Sequence, residues 1–96
     1  MHVGVCRITL RLAEGNSLKD KRRVVRSLVE RLRHQFNVAV AEVDSQDSWR
    51  TAVLGIAVVS NESAHADQQV ARVVAHIENT RLDAELVDSQ TEIIAI

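Results

Sequence analysis

The chain opens on an alternation of apolar and polar positions. Cys6, Ile8, Leu10 and Leu12 alternate with Arg7, Thr9 and Arg11, which predicts a half-buried strand over residues 2–12. The period then changes. Leu18, Val25, Leu28, Val29, Leu32 and Phe36 recur at helical spacing and predict a helix over residues 18–35. Ser17 is a good N-cap for it, and Asp20 three residues on completes a pair that resembles a capping box. Residues 37–45, rich in Val and Ala, read as a second strand, followed by the polar turn Ser45-Gln46-Asp47-Ser48. Residues 50–60 read as a third strand. It is apolar on both faces, with Ala52, Leu54, Ile56 and Val58 on one and Val53, Ala57 and Val59 on the other, so it belongs in the middle of a sheet. The short turn before it implies an antiparallel hairpin. Ala66, Val70, Val73, Val74 and Ile77 predict a second helix over residues 62–79, capped by Ser60 or Asn61. In residues 82–95, Leu82, Ala84 and Leu86 alternate with Asp83 and Glu85 as in a strand, and the phase blurs near Asp88, where a bulge fits. The acids suit an edge strand that must not pair with other edges.

The order strand, helix, strand, strand, helix, strand predicts an α+β, ferredoxin-like β-α-β-β-α-β sandwich: a four-stranded antiparallel sheet with two helices on one face. At 96 residues the chain is expected to form one domain over residues 1–96. With 15 Val, 11 Ala, 8 Leu and 6 Ile against one Phe, one Trp and no Tyr, its core must be aliphatic. No proline interrupts an element, and Gly15 marks a turn over Ala13–Ser17.

Charge changes the picture more than composition does. The net charge of −1 hides two unlike halves. Residues 1–35 hold nine bases against three acids, and residues 36–96 hold three bases against ten, so the halves carry +6 and −7. A dipolar surface follows, with one side suited to an anionic partner. Most of the bases lie on the first helix. Lys19, Arg22, Arg23, Arg26 and Arg33 sit opposite its apolar stripe. Lys21 sits at the stripe's edge, where its stem can lie along the core and its charge reach water. No apolar run approaches the roughly 18 residues of a membrane helix. The start of the chain lacks the layout of a signal peptide, and a single cysteine fits a reducing compartment. The expected location is the cytoplasm, with no membrane partner.

Four stretches resemble the YlxP family, a small bacterial family of unknown function. They are Ser17-Leu18-Lys19-Asp20-Lys21-Arg22-Arg23-Val24, Phe36-Asn37-Val38-Ala39-Val40-Ala41-Glu42-Val43, Gln46-Asp47-Ser48-Trp49, and Leu54-Gly55-Ile56-Ala57-Val58-Val59-Ser60. The family usually has Glu at the position of Asp20 and often Leu at that of Ser48. The resemblance implies a ferredoxin-like fold. It also implies work near the ribosome, because genes of the family tend to lie among those for transcription elongation, translation initiation and ribosome maturation.

The candidate chemistry is that of binding. Lys19, Lys21, Arg22, Arg23, Arg26 and Arg33 form an electrostatic footprint for RNA phosphates. The plain alternative is that they pair with Glu62, Asp67 and Glu78 of the second helix, or serve solubility. Sheets of this type that read single-stranded RNA stack bases on aromatics of the central strands, and the first and third strands here have none. If RNA is bound, the helix side must do it, by charge and shape. Trp49 is a candidate partner anchor or stacking platform; the plain alternative is that it covers one end of the core. On the sheet face away from the helices, Val3, Val5, Val53, Ala57 and Val59 form a candidate interface for a homodimer, another protein or a small ligand.

No catalytic set stands out, and no enzyme is expected. His65 and His76 lie about 16 Å apart along one helix, too far to share a metal. His2 and His34 have no clear partner, Asp44 and Asp47 read as turn aspartates, and Cys6 reads as a buried thiol. Neither a cofactor nor a metal is expected. The expectation is a cytoplasmic accessory factor that contacts RNA or a ribosomal particle through the first helix. The alternative is an interaction or ligand-binding module that uses the open sheet face.

Overall fold

The computed structural model describes residues 1–13, 17–80 and 84–96. Its elements are β1 (His2–Leu12), α1 (Leu18–Gln35), β2 (Ala39–Asp44), β3 (Thr51–Ser60), α2 (Ser63–Asn79) and β4 (Ala84–Ala95). The first two match the predicted bounds, and β2 is shorter at both ends. The turn around Gly15 and the strand residues Leu82 and Asp83 lie outside the described residues.

The strands form one antiparallel sheet in the order β2-β3-β1-β4. This is the ferredoxin-like arrangement. β3, apolar on both faces, is central, and β4, which carries the acids, is an edge strand. The predicted bulge is present: Thr9 pairs with Asp88 and Leu10 with Leu86, so Val87 is the extra residue. The pattern did not announce a second bulge on β2. There Glu42 pairs with Leu54 and Asp44 with Val53, and Val43 is extra.

Both helices cover the same face. Cys6, Ile8 and Leu10 of β1, Leu54, Ile56 and Val58 of β3, and Val40 of β2 point into the core. They meet Val25, Leu28 and Leu32 of α1 and Val70, Val73 and Ile77 of α2. Gly4 lies fully inside this layer. A Cβ there would stand 3.1 Å from Val70 Cγ2 and 3.3 Å from both the Ala66 carbonyl oxygen and Ile93 Cδ1. The missing side chain lets α2 settle directly on β1. Phe36, just past α1, meets the His76 ring of α2 edge-on at 5.5 Å between centroids.

The caps differ in one respect from the prediction. Ser17 Oγ accepts the Asp20 N–H at 3.2 Å, as expected for α1. For α2 the cap position is Glu62, with no side-chain bond. Ser60 ends β3 and so lies too early to be the cap residue. Its hydroxyl instead holds the connection, accepting the Glu62 N–H at 3.1 Å and lying 3.0 Å from His65 Nδ1.

Candidate nucleic-acid interface

α1 positions the basic residues. Its apolar stripe fixes the rotation of the helix on the sheet, because Val25, Leu28 and Leu32 are buried. The helical period then carries Lys19, Arg22, Arg23 and Arg26 to the opposite side, at i, i+3, i+4 and i+7, where all four are exposed. With Ser27 and Glu30 they border a shallow depression of about 480 Å³. Among the described residues, no carboxylate lies within 4 Å of any of these four cations. Glu62, Asp67 and Glu78 of α2 therefore do not act as their counter-ions. The reason is the layout: α1 packs over β2, whereas α2 packs over β1, β3 and β4.

One of the six predicted phosphate contacts is spent inside the protein, and a second is engaged with the backbone at the surface. Lys21 is not at the surface, because its side chain is only 1% exposed. Nζ lies 2.9 Å from Glu42 Oε2 and donates to the Ser45 carbonyl at 2.5 Å. The sequence held a signal for this. β2 presents Val40 and then Glu42 toward α1, and an acid at an inward position requires a partner. Arg33 is also engaged, donating from Nη2 to the Val40 carbonyl at 2.7 Å. That carbonyl belongs to an edge strand, which explains why it is free to accept. These two side chains bolt α1 to β2 and to the β2–β3 turn, and of the six Lys19, Arg22, Arg23 and Arg26 remain without an acidic partner among the described residues.

The same turn carries Trp49. Ser45 has a left-handed φ of 59°, its N–H bonds to Asp44 Oδ1 at 2.7 Å, and its carbonyl accepts the Ser48 N–H at 3.0 Å. Trp49 does not cover the end of the core. It is 39% exposed, outside the core cluster, with the Arg50 guanidinium 5.4 Å from its ring centroid.

The open face of the sheet places Val3, Val5, Ala57 and Val59 where the alternation predicts. Val3, Val5 and Ala57 are half-buried, and Val59 is exposed. Val53 corrects the expectation. It lies on this face but is only 7% exposed, set between its register partners Thr9 and Asp44. A groove of about 470 Å³ runs over Gly55, bordered by Val5, Arg7, Ala39, Ala41, Val43 and Ala57. Gly55 makes room for the β2 bulge: a Cβ there would stand 2.8 Å from Val43 Cγ1. Cys6 is buried and accepts a hydrogen bond from Thr91 Oγ1 at 3.5 Å. No helix among the described residues is long and apolar enough to cross a membrane, and no three His, Cys, Asp or Glu side chains there are grouped to hold a metal ion.

The profile of a family described as "Protein of unknown function (DUF503)" matches residues 3–91. A relative from Bacillus subtilis (strain 168), "Uncharacterized protein YlxP", is 35% identical over 66 residues. That match covers 69% of this chain and 72% of the relative.

Proposed function

The chain belongs to the DUF503 family, a family of unknown function, and we propose that it is a non-enzymatic cytoplasmic accessory factor that contacts structured RNA of a ribosomal particle through α1. The observation that carries this reading is the strip Lys19, Arg22, Arg23 and Arg26: four exposed cations on one helix face, with no acid in ion-pair range among the described residues. Contacts of this kind go to phosphates, so they give affinity and register with little base reading. The genomic company of the YlxP family favours a ribosomal particle as the RNA's source. The exposed indole of Trp49, on the turn that Lys21 ties to α1, is proposed as a stacking contact for a base.

Co-sedimentation of the purified protein with ribosomal subunits over a range of salt tests the proposal. Binding should weaken with salt, with log K falling against log salt at a slope of about −3 for four phosphate contacts. Binding that does not respond to salt, or none even at low salt, removes the RNA reading.

A second reading has its own observation. Seven large apolar side chains stand exposed among the described residues, and five of them share the open face: Met1, Val43, Val59, Ile94 and Ile96. Exposed apolar side chains gathered on one face favour a protein-interaction surface there.

A further inference from the structure

The open face also carries a charge pattern that identifies what fits it. Register fixes which side chains share the face. On β1 these are Val3, Val5, Arg7, Thr9 and Arg11. Opposite them on β4 stand Ile94, Glu92, Gln90, Asp88 and Glu85. A basic column, Arg7 and Arg11, thus runs beside an acidic column, Glu85, Asp88 and Glu92, and all five side chains are exposed. Among the described residues none of the five lies within 4 Å of an opposite charge in the same chain. At one end of the columns lie the apolar side chains of Val3, Val59 and Ile94, continued by Met1 and Ile96, whose backbones bond to each other.

Three kinds of occupant can be weighed against this face. A nucleic acid or an anionic lipid surface is repelled by three acids and finds no aromatic ring to stack on. A partner chain with one sign of charge answers only one column. A surface that carries both columns and an apolar end answers both, and this chain has such a surface. Two-fold symmetry makes an interface self-complementary by construction: what residue i meets at residue j, j meets at i. We infer that two copies of this chain pair open face to open face, the Arg7–Arg11 column of each against the Glu85–Glu92 column of the other, with the valine and isoleucine end closing the sandwich. Sheets packed face to face lie about 10 Å apart, within reach of an arginine and a glutamate side chain. The inference rests on the second reading above and names its partner. α1 lies on the other side of each sheet, so pairing leaves both basic strips open, facing outward in opposite directions.

Sedimentation equilibrium measures the outcome. The parent chain should show about twice the 10.7 kDa of one copy. Arg7→Glu and Glu92→Arg, made separately, should each weaken pairing about tenfold or more, because each sets like charges against each other at both ends of the two-fold. An equimolar mixture of the two variants should pair again, since every contact between unlike copies then joins opposite charges. Arg72→Glu, on the exposed side of α2, should change nothing. Circular dichroism of each variant confirms that the fold persists. A parent chain that stays monomeric into the high micromolar range overturns the second copy as partner and leaves the open face for a different protein. A dimer that survives both reversals places pairing elsewhere and overturns the open-face reading as well. A mixture that stays monomeric refutes the column-to-column arrangement.

Discussion

Replacing Lys21 by Met tests how the basic helix is held. Lys21 is almost fully enclosed, its ammonium 2.9 Å from Glu42 and bonded to the Ser45 carbonyl. Methionine matches the length of the stem but removes the charge, so Glu42 is left with an unpaired carboxylate. Breaking a fully buried pair costs about 3–5 kcal/mol. The Glu42 side chain keeps 23% of its surface in water, which softens the loss, so the expected cost is about 2–4 kcal/mol. For a chain of 96 residues, an unfolding entropy of about 2.1 cal/mol/K per residue gives about 0.2 kcal/mol/K in all, so a cost near 3 kcal/mol lowers Tm by about 15 °C. Urea denaturation of the parent, Lys21→Met, Glu42→Leu and the double variant completes a double-mutant cycle. The double variant replaces the pair by two apolar side chains and should lie within about 1 kcal/mol of the parent. If Lys21→Met costs under about 1 kcal/mol, or if the two single losses simply add in the double variant, the pair is not the bolt described here. The same variant, assayed with RNA while still folded, should keep the parent's salt slope, since its charge never faced the phosphates.

Other perturbations probe the strip and the two close structural fits. Arg22→Glu, Arg23→Glu and Arg26→Glu together should abolish co-sedimentation with ribosomal subunits and leave the circular dichroism spectrum unchanged; retained binding would sink the site. Arg22→Ala alone should flatten the salt slope by about 0.7–0.9, the share of one phosphate contact. Gly4→Ala should cost about 1–3 kcal/mol in urea denaturation, because the new methyl meets the α2 backbone at Ala66 as well as two side chains. Ser17→Ala should cost about 1 kcal/mol, the value of the hydroxyl that accepts the Asp20 N–H. A neutral result there would mean that water serves the helix end equally well.

Periodicity made the elements legible, since burial on one side of a strand or helix leaves a mark every two residues or about every 3.6. The run of β1 from Cys6 to Leu12, the α1 stripe around Leu28 and Leu32, and β3 with apolar residues on both faces made those elements and the central place of β3 legible from the chain alone. The same alternation assigned Val3, Val5, Ala57 and Val59 to one face. It also placed Lys19, Arg22, Arg23 and Arg26 on the solvent side of α1, because a helix buried along one stripe must expose the other.

Tertiary structure decided what each charge meets. Lys21 and Arg33 belong to the same basic run as Arg22, yet one ends at Glu42 and the other at the Val40 carbonyl. Those partners come from β2, and their reach depends on how α1 lies over that edge. The acids of α2 did not become counter-ions for the same reason: the two helices sit over different strands. The β2 bulge seats Val43 over Gly55, Val53 closes between Thr9 and Asp44, and Trp49 stays outside the core cluster. These depend on how neighbouring strands pair, which one strand's own alternation does not specify residue by residue. Sequence determined which residues share a face; packing determined which of them remain free to bind.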